Sequence, residues 1–156
     1  MKKVRWGVIG AGGIAQRRTI PGMMQCENAE LVAVMEITPE LAESCRAKWN
    51  CKKAYTSAEE LLNDPEIDAV YIASPVFLHA QQAMAAADAG KHILIEKPLA
   101  MTAAEGQKVV EHCKEKGVLI AAGFMMRFGA CIQELFYNSA ANKIFPQSGR
   151  SVPEWY

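Results

Sequence analysis

Neither sign of charge prevails in this chain, whose 17 lysines and arginines balance 17 aspartates and glutamates. Without a basic surplus there is no electrostatic footprint for nucleic acid or an anionic membrane. Long hydrophobic runs are missing as well, and no stretch approaches the roughly 20 apolar residues that cross a bilayer. The apolar run after Lys2, Lys3 and Arg5 is broken by Gly7 and ends at Gly10, too short for the core of a signal peptide. Cysteine is sparse. Cys26, Cys45, Cys51, Cys113 and Cys131 form an odd set with no CxxC pair, the pattern of reduced thiols in a cytoplasmic protein. Cys45 and Cys51 are close enough in sequence to leave a redox pair as the alternative. The three histidines, His79, His92 and His112, show no metal-ligand spacing, so no metal site is expected. There is also no Gly-Lys-Ser/Thr phosphate-transfer loop, nucleophilic triad, internal repeat or low-complexity tract. A composition of 51% hydrophobic and 22% charged residues suits a soluble globular domain.

What is present is an alternation. Apolar runs at 4–9, 30–36, 67–73, 92–95 and 118–122 read as strands covered on both faces, with a weaker one at 53–56. Helical patterns lie between them with marked starts: Thr38-Pro39, Ser57 with Glu60, and Thr102 with Glu105 place capping side chains before helices. Gly90 and Gly117 fall where helices should stop. Such βαβα order predicts an α/β fold, a doubly wound parallel sheet of the Rossmann dinucleotide-binding type. The pattern assigns residues 1–124 to this domain, and the helical and strand periods fade after about Leu135. From Phe124 onward the chain holds seven of the twelve aromatics, ending at Tyr156, as if this stretch expects a surface to pack against.

Two motifs carry chemistry. Gly10-Ala-Gly12-Gly13-Ile14-Ala15 follows the first strand and fits G-x-G-x-x-G/A, in which small residues allow a tight turn, close approach of a pyrophosphate and close helix packing. Glu36, ending the second strand, is placed to accept hydrogen bonds from both hydroxyls of an adenosine ribose. A carboxylate there repels a 2′-phosphate and no guanidinium follows it, so NAD is preferred, with NADP possible if Arg17 and Arg18 soften the choice. The second motif is Glu96-Lys97-Pro98, at the end of the run His92–Ile95. A strand-end lysine can exchange a proton with a substrate hydroxyl, although a lysine that merely opens a loop is the plain alternative. Ser74-Pro75 ends the strand between these motifs. His79 lies within reach of that region, or else makes a structural hydrogen bond in the first turn of a helix.

These residues together resemble the glucose–fructose oxidoreductase, inositol dehydrogenase and rhizopine-catabolism (Gfo/Idh/MocA) family. The stretches that carry the likeness are 8–15, 31–36, 68–75, Leu78-His79, Gly90 to Pro98, and Gly123 to Phe128, within residues 3–135. The resemblance implies a two-domain NAD(P)-dependent oxidoreductase acting on a sugar, inositol or related polyol, commonly as a homo-oligomer. It places catalytic Lys97 near the nicotinamide and against the substrate hydroxyl. It sets Glu96 on the cofactor side, Ser74, Pro75 and His79 along the cofactor's border, and Arg127 at the junction with the second domain. That domain supplies substrate contacts in the family, and the resemblance implies that residues 125–156 are a linker helix and the start of that domain, truncated here. The expectation for the chain alone is cofactor binding with little turnover. A non-catalytic NAD-binding module, acting through self-association or a partner protein, is the alternative that the aromatic tail raises.

Overall fold

The computed structural model describes residues 2–130 and 132–134. Two units divide the chain, Met1–Gly123 and Phe124–Tyr156. Within the first, six strands form one parallel sheet: β1 (Val4–Ile9), β2 (Ala29–Met35), β3 (Lys53–Tyr55), β4 (Ala69–Ile72), β5 (His92–Ile95) and β6 (Ile120–Ala122). Their order across the sheet is β3-β2-β1-β4-β5-β6. The chain therefore winds outward from β1 in one direction, then returns to β4 and winds outward in the other. This is the doubly wound arrangement anticipated from the sequence, with its switch point between β1 and β4.

Apolar strands need cover on both faces, and two separate cores supply it. On one face Val8, Val34 and Tyr71 pack with Ala15, Ile20 and Met23, which come after the glycine loop, and with Cys45 of α2 (Pro39–Trp49). On the other face Ile9, Val70, Ile72 and Ile95 meet α3 (Ala58–Leu62), α4 (His79–Asp88) and α5 (Ala103–Glu115) through Leu61, Ala83, Ala86, Ala87, Val109 and Cys113. Alanines on the inner side of α4 let that helix sit close to the sheet. The three caps form as anticipated: Thr38, Ser57 and Thr102 each accept a hydrogen bond from the backbone N–H three residues on. Glu105 reaches back to the N–H of Met101, one residue before the cap. A stop the sequence did not advertise is Asn50, which closes α2 in the left-handed conformation at φ 52°.

The helix after the glycine loop departs from the simple expectation. It opens at residue 13, widens into a π-helical turn over Ala15–Thr19, and ends as the short α1 (Ile20–Met23). Such turns insert a residue into the helical repeat and rotate the side chains beyond it.

The second unit is described only through Phe124, the 3₁₀ turn Met125–Phe128 and residues 129, 130 and 132–134. Arg127 stands in that turn, and the position of its side chain lies outside what the structure describes. So do Phe136, Tyr137, Phe145, Trp155 and Tyr156, on which the idea of a packing tail mainly rests.

Candidate functional site

Every chemically loaded motif emerges at the same edge of the sheet. Parallel strands all end on one side, so Gly10 after β1, Glu36 after β2, Ser74 after β4 and Lys97 after β5 share the carboxyl edge. Ladder hydrogen bonds continue past the strand ends and hold these loops in place: Ala73 N–H to Ile9 O, Glu96 N–H to Ile72 O, Glu36 N–H to Tyr55 O.

At the switch point the glycine loop is tightly held. Gly10 has φ 78°, and its N–H and that of Ala11 both donate to Met35 O. A Cβ on Gly10 would lie 2.9 Å from both Ala73 C and Ser74 N, which are backbone atoms with little freedom to retreat. Gly13, at φ 48°, faces open space instead, with nothing within 4 Å of where a Cβ would be. Ala15, the third small position, is fully buried against the sheet. The loop is thus close-packed beneath and open above, as an approaching pyrophosphate requires. Arg17 and Arg18 are both exposed.

Glu36 is half-buried and turns toward this loop. Its Oε1 accepts the Gly12 N–H at 2.6 Å and its Oε2 accepts its neighbour Ile37 N–H at 3.2 Å. The carboxylate therefore lies against the second glycine, where a substituent Cβ would come within 2.8 Å of Oε1. Ser74, half-buried, donates its hydroxyl to Gln82 Oε1 of α4, and Pro75 beside it is exposed.

His79 and Glu96 face inward. The imidazole of His79 is 1% exposed, with Nδ1 2.8 Å from Pro98 O and Nε2 2.9 Å from Ser74 O. It spans the two loops that leave β4 and β5. This hydrogen bonding is the structural one that its helical position allowed. Glu96 is 7% exposed: its Oε1 accepts the Tyr71 hydroxyl at 2.6 Å and its Oε2 the Lys97 N–H at 3.1 Å. Tyr71 in turn accepts a hydrogen bond from Thr19 Oγ1 at 2.9 Å. Burial, and the carboxylate next to it, push the Tyr71 phenol well above its usual range, so it remains a donor. Neither Tyr71 nor Thr19 was singled out in the sequence, where Tyr71 reads as part of an apolar strand.

Lys97 itself is exposed, and among the described residues no carboxylate pairs with it. The peptide bond to Pro98 is cis.

The thiols lie elsewhere. Cys45 and Cys51 are buried and free; burial raises both, Cys51 to about 11, which disfavours the thiolate that redox chemistry needs. Among the described residues there is no cluster of three or more His, Cys, Asp or Glu able to hold a metal. Nor is any described helix long and apolar enough to cross a membrane.

A doubly wound sheet with a glycine loop at its switch point, an acid after β2 and a lysine after β5 defines a dinucleotide-binding domain of the oxidoreductase class. Residues 4–124 match the model of the Gfo/Idh/MocA oxidoreductase family, described as its NAD-binding Rossmann fold, and the chain belongs to that family. Among its relatives are a 1,5-anhydro-D-fructose reductase of Ensifer adhaerens, 39% identical over 81% of this chain and 38% of its own length, and a myo-inositol 2-dehydrogenase of Thermotoga maritima, 31% identical over 85% and 39%. Solved relatives include a dehydrogenase of Bordetella pertussis in complex with NADH and UDP-GlcNAcA, at TM-score 0.85 and 29% identity, covering 92% of this chain and 44% of that one. A 3-ketoreductase of Actinomadura kijaniata, in complex with TDP-benzene and NADP, superposes at TM-score 0.84 and 27% identity over 90% and 44%. The chain spans about two fifths of the length of the relatives it matches.

Proposed function

We propose that this chain is the nucleotide-binding part of an NAD(P)-dependent oxidoreductase that acts on a secondary alcohol of a sugar, inositol or related polyol. The observation that carries the reading is the convergence of the glycine loop, Glu36 and an exposed Lys97 on one sheet edge, around the switch point. Loop geometry fits the cofactor, because Gly10 leaves no room for a side chain against the backbone of Ala73 and Ser74 while Gly13 leaves the approach open. When bound, a nicotinamide dinucleotide would accept or donate the hydride at C4 of its ring.

The chain's own residues would do the rest. Gly12, Gly13, Ile14 and Ala15 would receive the pyrophosphate on backbone N–H groups at the start of a helix, beyond the tight turn that Gly10 allows. Glu36 would exchange its hydrogen bond with Gly12 for the ribose hydroxyls, which favours NAD over NADP. Ser74 and Pro75 would border the nicotinamide side. The Lys97 side chain would hold the substrate oxygen, taking up its proton as the neutral amine and returning it as the ammonium, as general acid–base groups do. The second domain's substrate contacts, carried by the remaining length of the relatives, would account for much of the orientation on which the rate depends.

Titration of the chain with NADH and NADPH, followed by nucleotide fluorescence, tests the cofactor reading. NADH should bind more tightly, and stronger NADPH binding would overturn the preference. A polyol panel with NAD should give little turnover from this chain by itself. Robust turnover would show that the site is complete without further contacts.

A further inference from the structure

We infer that Thr19, Tyr71 and Glu96 form a positioning network that ties the backbone of Lys97 to the dinucleotide helix. This deepens the reading above and rests on it for the roles of helix and lysine. Three hydrogen bonds run in series: Thr19 Oγ1 to the Tyr71 hydroxyl at 2.9 Å, Tyr71 to Glu96 Oε1 at 2.6 Å, and Lys97 N–H to Glu96 Oε2 at 3.1 Å. Tyr71 is 1% exposed and Glu96 7%, so these groups have given up water and depend on one another. A carboxylate buried at the lip of a cofactor crevice could have faced the ligand. Here one oxygen is taken by a phenol from below and the other by the amide of the lysine it precedes. Glu96 therefore sets the direction in which Lys97 leaves the strand.

The anchor at the far end is informative. Thr19 is the last residue of the π-helical turn Ala15–Thr19, which begins at the third small position of the glycine loop. From the end of that turn Thr19 reaches the Tyr71 hydroxyl. The helix that would receive the pyrophosphate and the strand end that presents Lys97 thus share one buried network. Cofactor binding at the loop and the placement of Lys97 become linked.

The test uses the chain labelled with ¹⁵N, with the Lys97 backbone amide as reporter. Thr19→Val is close to isosteric and removes the donor, Thr19→Ser keeps it, and Tyr71→Phe removes the central hydroxyl. We expect Thr19→Val and Tyr71→Phe each to shift the Lys97 amide resonance and speed its hydrogen exchange roughly two- to tenfold, the worth of one net hydrogen bond. Thr19→Ser should stay near the parent. NADH should perturb the Lys97 amide in the parent chain and do so less in Thr19→Val. Unchanged Lys97 signals in both Thr19→Val and Tyr71→Phe, with the rest of the amide spectrum preserved, would overturn the network. Failure of the parent chain to bind NADH would overturn the dinucleotide reading and the linkage to cofactor, while the ligand-free comparison still decides whether Thr19 and Tyr71 hold Lys97.

Discussion

Replacing Gly10 by alanine separates two costs that glycine usually hides together. The residue sits at φ 78°, where an L side chain costs about 1–2 kcal/mol. Its new Cβ would also meet Ala73 C and Ser74 N at 2.9 Å and Ala73 O at 3.0 Å. Because these are backbone atoms between β4 and its loop, they cannot swing away like a side-chain tip, and overpacking of this kind costs about 1–3 kcal/mol more. The total is about 2–5 kcal/mol, a large share of a typical domain stability of about 5–15 kcal/mol. For a chain of this size the melting temperature should fall by roughly 5–20 °C. Two controls isolate the causes. Gly90 has a similar φ of 68° but open space around its would-be Cβ, so Gly90→Ala should lose only the backbone part, about 1–2 kcal/mol. Gly22, helical and unobstructed, should tolerate alanine or gain up to about 1 kcal/mol. Thermal and urea unfolding of the three variants measures all this. If Gly10→Ala melts together with Gly90→Ala, the close approach of the glycine loop to β4 is wrong.

Charge and burial give the other expected outcomes. Arg5, through Nε, Nη2 and its own backbone N–H, holds the Asp68 carboxyl well below the usual carboxylate range. A lowered carboxyl contributes stability that is present above its unfolded value of about 3.9 and is lost as pH falls toward the folded one. Asp68→Asn should therefore be destabilised relative to the parent at neutral pH, with the gap narrowing below about pH 4 in denaturant titrations; a gap independent of pH would contradict the pairing. Lys91 is 9% exposed, and its ammonium donates to Asp64 O and Ile67 O. Burial lowers its proton affinity, and Lys91→Met should cost about 1–3 kcal/mol by taking the ammonium from Ile67 O, whereas Asp64 O keeps the Ile67 N–H; a neutral result in urea unfolding would show that water replaces it. Glu36→Ser should weaken NADH binding and improve NADPH binding, so that their affinity ratio moves toward NADPH. An unchanged ratio would remove Glu36 from cofactor choice.

Much of this was legible in the sequence, and the reason is local. Strand and helix periods, capping side chains and a glycine-rich turn are properties of neighbouring residues, so reading along the chain yields the βαβα order and the dinucleotide loop. The Glu96-Lys97-Pro98 motif was visible for the same reason, as three residues where an apolar run stops. Which side chains meet across the sheet could not be read. Tyr71 looked like one more apolar strand residue, yet it joins Thr19, 52 residues before it, to Glu96, 25 residues after. That meeting depends on β4 lying between β1 and β5, with Thr19 at the end of the π-helical turn that follows β1. His79 could face a ligand or the protein on sequence grounds, and only packing turned both of its nitrogens onto the Ser74 and Pro98 carbonyls. Local chemistry thus determined that a nucleotide loop and a strand-end lysine are present. The order of strands decided that they share one edge, and which buried groups hold the lysine in place.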